Sequence, residues 1–368
     1  MKNFETIFGL PAQVSAQAPG RVNLMGEHTD YNQGFVLPTI LPLKTIVQIG
    51  VDNSVGGKID IFSANYQQRI ERSLHKGGSN HWSEYIVACL QQLQQYQIII
   101  PSLKILVESN VPIGAGVASS AALEIAFLKA VRKLLQLNLT DLEIASLAQK
   151  AESEGVGMPC GIMDQMVTSL GRENQALFLD TKDLSFEYVK LPTNYDFAVI
   201  HSGKTHVLAK SAYKQRRQEC EKAAALMNVS SLRDVCLPEL NFLDKLPHTL
   251  RQRVVHVVTE NQRVLDSVAA IEENRLADLG ELMNASHLSQ KNQFEVTIKE
   301  TDLLCKAAIE RGAIGARQTG GGFGGAIVAL VPRHAVQSWW NFVCRDCPQA
   351  SFICTSQKPQ KALLRRVR

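Results

Sequence analysis

Long apolar runs are missing from this sequence. No stretch approaches the roughly 18–20 consecutive apolar residues that a membrane-crossing helix requires, which argues against a membrane protein. Positions 1–19 lack the continuous apolar centre of a secretion signal, because Glu5 and Pro11 interrupt it, so no signal peptide is expected. A strong charge of either sign is also missing. Lys and Arg number 39 against 35 for Asp and Glu, and the resulting +4 is too weak to argue for a nucleic-acid partner. Internal repeats and low-complexity tracts are absent, which argues against solenoids and disordered arrays. Dense cysteine is absent as well. The eight cysteines are scattered over 368 residues, a pattern of reduced thiols in a cytoplasmic protein rather than of a disulfide framework. Only Cys344 and Cys347 are close, and no second pair or nearby histidine completes a four-ligand zinc set.

What the chain does have is apolar material, 45% of its residues, enough to offset chain entropy in two domains of ordinary size. Two periodicities alternate along it. Residues 13–18, 45–51, 103–108, 197–200, 326–331 and 352–354 read as strands. Residues 119–137, 206–227, 251–273, 276–293, 301–311 and 334–344 read as helices. Thr140 and Glu143 form a capping-box pattern that opens a further helix, expected to run to about Glu154 and stop at Gly155. Strands and helices mix without a strict βαβ rhythm, so the fold class expected is α+β. The best linker is Leu191-Pro192-Thr193-Asn194, which divides the chain into 1–190 and 191–368.

Three segments carry chemistry. The middle one runs from Val111 to Ala122 between a strand and a helix, with Gly114, Ala115, Gly116, Val117, Ala118, Ser119, Ser120 and Ala121 at its centre. Glycines permit close backbone approach, and the helix start offers unpaired amides and a positive dipole end, a combination that cradles phosphate. No Gly-Lys-Ser/Thr follows, so this is not a Walker A loop. Position 119 is Ser where a dinucleotide fingerprint needs its third glycine. A plain glycine-rich turn with a serine cap remains the competing account of these residues. The late segment, Arg317 to Gly325, has five glycines in six positions. It could line a second side of an anion, or could only let two elements pass closely. The early segment, Ala18 to Asn32, crowds Arg21, Glu27, His28, Asp30 and Tyr31 together with two glycines. Such a density of directional hydrogen-bonding groups suits a polyol, although a solvated polar loop also fits.

Taken together, the three segments resemble the GHMP small-molecule kinases, which include galactokinase, homoserine kinase, mevalonate kinase and phosphomevalonate kinase. The run from Gly20 to Asn32 is similar to the galactokinase signature, residues 114–122 to the family's phosphate-binding motif, and Thr319 to Gly325 to its third motif. The resemblance covers essentially the whole chain. It implies an N-terminal domain like domain two of ribosomal protein S5, a C-terminal ferredoxin-like domain, and an active site between them.

The resemblance also implies roles. Arg21 and Asp164, the latter within Cys160-Gly161-Ile162-Met163-Asp164-Gln165, would face the C1 hydroxyl of the sugar. Asp164 would act as base or electrostatic partner, and Arg21 would stabilise developing charge. Glu27, His28, Asp30, Gly161 and Tyr213 match sugar-binding positions. Residues 114–121 and Trp82, with Tyr85 nearby, match the ATP site, although Trp82 could equally be packing. Ser120 and Glu152 match the Mg2+ ligands. The implied activity is phosphorylation of galactose by MgATP in a monomeric cytoplasmic enzyme.

Two departures from the family pattern stand out. Ala118 replaces the first of three serines. His201-Ser202-Gly203-Lys204-Thr205-His206 replaces a stretch that often carries Thr-Asn or Ser-Asn. The second departure opens the alternative of a related sugar such as N-acetylgalactosamine. A non-catalytic sugar and ATP sensor is a further alternative, but sensors tend to lose a Ser-Ala pair that is intact here as Ser120-Ala121.

Overall fold

The structure is a computed structural model and describes residues 3–52, 57–73, 81–204 and 209–357. The elements begin with α1 (Phe4–Phe8), β1 (Val14–Asn23), β2 (Phe35–Val36), β3 (Pro38–Asp52), β4 (Lys58–Ser63), β5 (Gln68–Ser73) and α2 (Glu84–Gln95). There follow β6 (Ser102–Ser109), α3 (Ser119–Leu135), α4 (Asp141–Lys150), α5 (Met163–Leu170), β7 (Gln175–Asp180), β8 (Phe186–Lys190) and β9 (Tyr195–His201). The chain then forms α6 (Ala209–Leu226), α7 (His248–Glu272), α8 (Leu276–Ser289), α9 (Lys299–Glu310), β10 (Gly315–Thr319), β11 (Ala326–Pro332), α10 (Val336–Asp346) and β12 (Ser351–Thr355). Residues 205–208, which belong to the expected helix start and to one family departure, lie outside the described residues, as does the basic stretch 358–368.

The chain folds into two compact units that interleave along the sequence. One comprises residues 1–20, 43–112 and 118–170, and the other 21–42, 113–117 and 171–368. In the first unit, β6 is the axis. It pairs antiparallel with the later part of β3, from Thr45 opposite Ser109 to Asp52 opposite Ser102. On its other side it pairs in parallel with β4, which continues into the β4–β5 hairpin. A parallel neighbour requires a crossover, and α2 supplies it. α3 is buried on nearly every face from Ala121 to Leu128, which explains why its small and apolar residues outnumber polar ones. The Thr140–Glu143 capping box forms, and α4 then loosens into a π-turn at Ala151–Gly155.

In the second unit, β10, β11, β9 and β12 form an antiparallel sheet in that order. β11 is buried from Ala326 to Val331, so it reads as an unbroken apolar run rather than an alternation. One face packs on α9 and α10 through Ile327, Ala329 and Val331, with Trp339 donating its indole N–H to the Ala308 carbonyl at 2.9 Å. Cys347 lies in this core, and Cys344 donates weakly to the Asn341 carbonyl. A second core gathers α6, α7 and Phe294. α8 ends in a π-turn at Gln290–Phe294. Single-turn widenings of this kind concentrate near functional sites. No helix among the described residues is long and apolar enough to cross a membrane.

Candidate active site

In the second unit, residues far apart in sequence meet. Arg21, at the point where β1 turns polar, is 4% exposed and donates from Nη1 to the Gly116 carbonyl at 2.5 Å. Its amide reaches the Val117 carbonyl at 3.1 Å. Gly320 lies against the same glycine loop. A Cβ there would stand 2.9 Å from the Gly116 oxygen, and φ is +83°, so only glycine fits without strain. The Gly320 amide donates to the Glu27 carboxylate at 2.9 Å. The early, middle and late motifs therefore share one neighbourhood.

Glu27 is 2% exposed. Burial raises its carboxyl above the ordinary range, while Arg317, Arg21 and the Gly320 amide pull it back. His28 lies in an aromatic group, with ring centroids 5.7 Å from Tyr31, 5.3 Å from Tyr213 and 4.8 Å from Phe294. Its Nδ1 is 2.9 Å from the Tyr31 hydroxyl. Burial, helped by His256 and Arg216, drives the imidazole down to about 3, so it is neutral at physiological pH. Asp30 opens a 3-10 turn, where its carboxylate accepts the Tyr31 amide at 3.0 Å. Tyr213, on α6, also lies beside Gly321 of the late motif.

The stretch 201–204 pairs with the end of the glycine loop. Ser202 donates its amide to Gly325, and Gly325 donates to Lys204, at 2.8 and 3.0 Å. This departure from the family pattern is thus a scaffold of the late motif.

Residues 114–121 open α3. Gly114, Gly116 and Ala118 all have positive φ, +73°, +75° and +60°. Ala118 occupies the cap position with a left-handed backbone, a conformation that costs an alanine roughly 1–2 kcal/mol. Ser119 and Ser120 follow as the first helical residues, both half-buried.

The first unit assembles an acidic group. Gln165, on α5, donates from Nε2 to Glu152 at 2.7 Å and to Glu124 at 3.4 Å. Glu124 is fully buried and its Oε1 has no hydrogen-bond partner among the described residues. Burial, then the neighbouring Glu152, raises the Glu124 carboxyl well above the ordinary range. Asp164 occupies the first turn of α5, half-buried and adjacent in sequence to Gln165. Gly161 immediately precedes that helix. The two carboxyls share one amide and oppose each other's ionisation, a strain that a hard divalent cation beside them would relieve. Trp82 stacks on Tyr66 at 6.2 Å, and its indole N–H has no partner among the described residues. Tyr85 is pushed up by burial and by Glu152 and Glu124.

Several residues at these sites carried no signal in the sequence. Glu260, His256 and Asn261 on α7 read as an ordinary polar face, and Glu124 as one charge in an apolar helix. Only their burial marks them.

The galactokinase galactose-binding signature matches residues 2–51, the GHMP kinases N terminal domain matches 84–172, and the GHMP kinases C terminal domain matches 267–349. The galactokinase of Thermosipho africanus is 40% identical over 328 residues, 88% of this chain and 91% of that protein. The chain belongs to the galactokinase family. The crystal structure of Lactococcus lactis galactokinase complexed with galactose superposes with a TM-score of 0.91 at 31% identity, covering 97% of this chain and 96% of that one. The mevalonate kinase of Methanococcus jannaschii shares the fold, with a TM-score of 0.67 at 18% identity over 90% of this chain and 95% of that one. The protein is accordingly a sugar kinase with the two-domain GHMP architecture, in the α+β class expected, and members of the family are ATP-dependent.

Proposed function

We propose that the chain transfers the γ-phosphoryl group of ATP to the C1 hydroxyl of galactose, giving galactose 1-phosphate. The observation that carries this reading is the meeting of Arg21, Gly116, Gly320 and Glu27 in one unit. It joins a polyol-reading motif to the glycine-rich segment that opens α3, which is what a sugar kinase needs.

In this reading Asp164 takes the C1 proton or stabilises its departure, and Arg21 offsets the charge that grows on the transferring group. Glu27, His28, Asp30, Tyr213 and Gly161 read the sugar hydroxyls. Glu27 orders the motif, and its carboxylate links that motif to the late glycine loop. The amides of 114–121 hold the nucleotide phosphates, and Trp82 offers an aromatic face for adenine. Ser120 and Glu152 would hold Mg2+, which when bound neutralises phosphate charge. Glu152 suits that role because Gln165 fixes one of its oxygens.

The division at 190/191 is proposed as the sequence partition of the two family domains. The N- and C-terminal family matches fall on either side of it. A cytoplasmic monomer is proposed with it; the eight cysteines, all free thiols, support the compartment.

The test is ADP release with a panel of sugars, ATP and Mg2+, with analysis of the position phosphorylated. Galactose-dependent turnover with product at C1 is expected. Faster turnover with N-acetylgalactosamine would shift the substrate, and sugar binding without turnover would indicate a sensor.

Two smaller predictions follow from the site. Asp30→Ala should weaken galactose binding roughly tenfold or more, because a hydroxyl-reading site depends on paired polar groups. An unchanged Michaelis constant would remove Asp30 from the sugar site. The second concerns protonation. His28 and His256 are lowered to about 3 and about 4, chiefly by burial. Between pH 6.5 and 4 the unfolded chain binds protons that these folded imidazoles refuse, so each makes the fold less stable as pH falls through that window. Imidazole nitrogen NMR at pH 5 should find both rings neutral, and a charged ring at either position would contradict the burial described.

A further inference from the structure

We propose that Glu260, on α7, is a positioning residue that holds the sugar-reading loop, residues 26–35, in its binding shape; the inference rests on the reading of that loop as the galactose site. Glu260 is completely buried, yet both carboxylate oxygens are engaged. Oε1 accepts the consecutive amides of Gly26 and Glu27, each at 3.2 Å, and the Ser286 hydroxyl at 2.7 Å. Oε2 accepts Arg263 Nε at 2.7 Å. Two successive backbone amides form a small anion-binding concavity, and here the chain fills it with its own carboxylate.

The rest of the same helix face repeats the device. One turn earlier, His256 Nε2 is 3.1 Å from the Glu27 carbonyl, while its Nδ1 contacts Ser289 at 2.8 Å. The next residue, Asn261, accepts the Phe35 amide at 2.9 Å. α7 therefore grips the loop at both ends, at residues 26–27 and at 35. Arg317, fully buried on β10, sets its Nη2 3.5 Å from Glu27 and 3.6 Å from Glu260. It also donates to the Asn23 carbonyl at 3.1 Å and to Ser286 at 3.1 Å. One guanidinium thus sits between the carboxylate of the loop and the carboxylate that holds it. Burial alone would push Glu260 toward its neutral acid, but Arg263 and Arg317 hold it below the ordinary range, so it stays an acceptor for both amides.

This arrangement determines where His28 and Asp30 point, because the backbone entering them is fixed from outside the loop. Glu260 does not touch the sugar in this account; it acts through the Gly26–Glu27 peptide.

The experiment measures galactose binding by calorimetry together with the Michaelis constants for galactose and ATP, on the full chain. Glu260→Gln removes the charge and turns an amide nitrogen either on the Arg263 guanidinium or on the Gly26 and Glu27 amides, and Glu260→Asp keeps the charge but is one methylene too short to reach both amides. Galactose affinity is expected to fall roughly tenfold to a hundredfold in both variants, the scale of losing charge-assisted hydrogen bonds. The Michaelis constant for ATP and kcat should stay within about threefold of wild type. A purely structural role would lower the melting temperature and leave galactose affinity unchanged in the folded fraction, and that result would overturn the proposal. Should neither variant fold, Ser286→Ala removes one donor from the same oxygen with every charge in place. A several-fold loss of galactose affinity is then expected, and wild-type affinity would overturn the proposal. A wild-type chain that binds no galactose would instead sink the reading of the loop itself.

Discussion

Replacing Asp164 by Asn is expected to lower turnover by roughly 10²–10⁴-fold while galactose still binds, the usual contribution of a positioned proton acceptor. Asn has nearly the same shape, so the substitution removes the charge and the basicity but little volume. Asp164 lies in the first turn of α5, where a carboxylate gains at most about 1 kcal/mol from the helix dipole at an accessible position. It also adds to the electrostatic pressure on buried Glu124, so neutralising it relieves repulsion in the acidic group. A melting curve of the variant separates a loss of rate from a loss of fold. Measured kcat against Michaelis constants decides the matter. A fall confined to kcat supports a group acting on the reacting oxygen, whereas near-normal kcat would remove Asp164 from the chemistry.

Gly280→Ala is expected to destabilise the second unit by about 3 kcal/mol, the cost of forcing a methyl into a closed contact. In an open helix the same change would help, since alanine is better than glycine by about 1 kcal/mol. Here a Cβ would lie 2.3 Å from the Ile314 oxygen and 2.7 Å from its carbonyl carbon, both backbone atoms that cannot swing aside. Gly315 faces it from β10, and a Cβ there would meet the Gly280 oxygen at 2.5 Å. Helix and strand thus touch backbone to backbone, and overpacking outweighs propensity. The displacement would propagate. From Asn284 to His287, α8 holds β10 through Asn284 on the Ala316 amide, Ser286 on Arg317 and His287 on the Gln318 amide, at 3.0, 3.1 and 3.3 Å. Calorimetric melting should fall by on the order of 10 °C for a unit of this size. A midpoint within about 2 °C of wild type would show that the interface yields more easily than its geometry implies.

Much of this was legible from local pattern. The strand at 103–108 appears as β6, the helix from Ser119 as α3, and the Thr140 capping box forms with both of its hydrogen bonds. These succeed because their signals are local: alternation, a 3.6-residue stripe, a side chain reaching three residues along. The misses are equally physical. The edge hairpin β4–β5 carries polar residues such as Gln68, Arg69, Glu71 and Arg72 on an exposed strand, so no apolar alternation announces it. β10 reads Gly-Ala-Arg-Gln-Thr, yet every residue is buried: Arg317 Nε and Nη1 and the Gln318 side chain hydrogen-bond partners from other elements, and Arg317 Nη2 faces the carboxylates of Glu27 and Glu260. The expected helix 276–293 ends as an α-helix at Ser289 and continues as a π-turn, where wider hydrogen bonding lets Phe294 reach the core. In the site, the residues that would meet ligand stood out in the sequence because they were dense and polar. Those that hold them in place did not, since Glu260 or His256 on a helix resembles any solvated polar residue until its burial is known.

The interleaving of the two units has a consequence for anyone dividing the gene. A break at residue 190 would separate the segments 21–42, 113–117 and 171–190 from residues 191–368, the larger part of the unit in which they fold. The released C-terminal fragment would expose the α7 side chains that bind the backbone of residues 26, 27 and 35, leaving Glu260 and Arg317 without their complement. Neither piece is a self-sufficient module, and functional reconstitution from halves should succeed only when both are synthesised together.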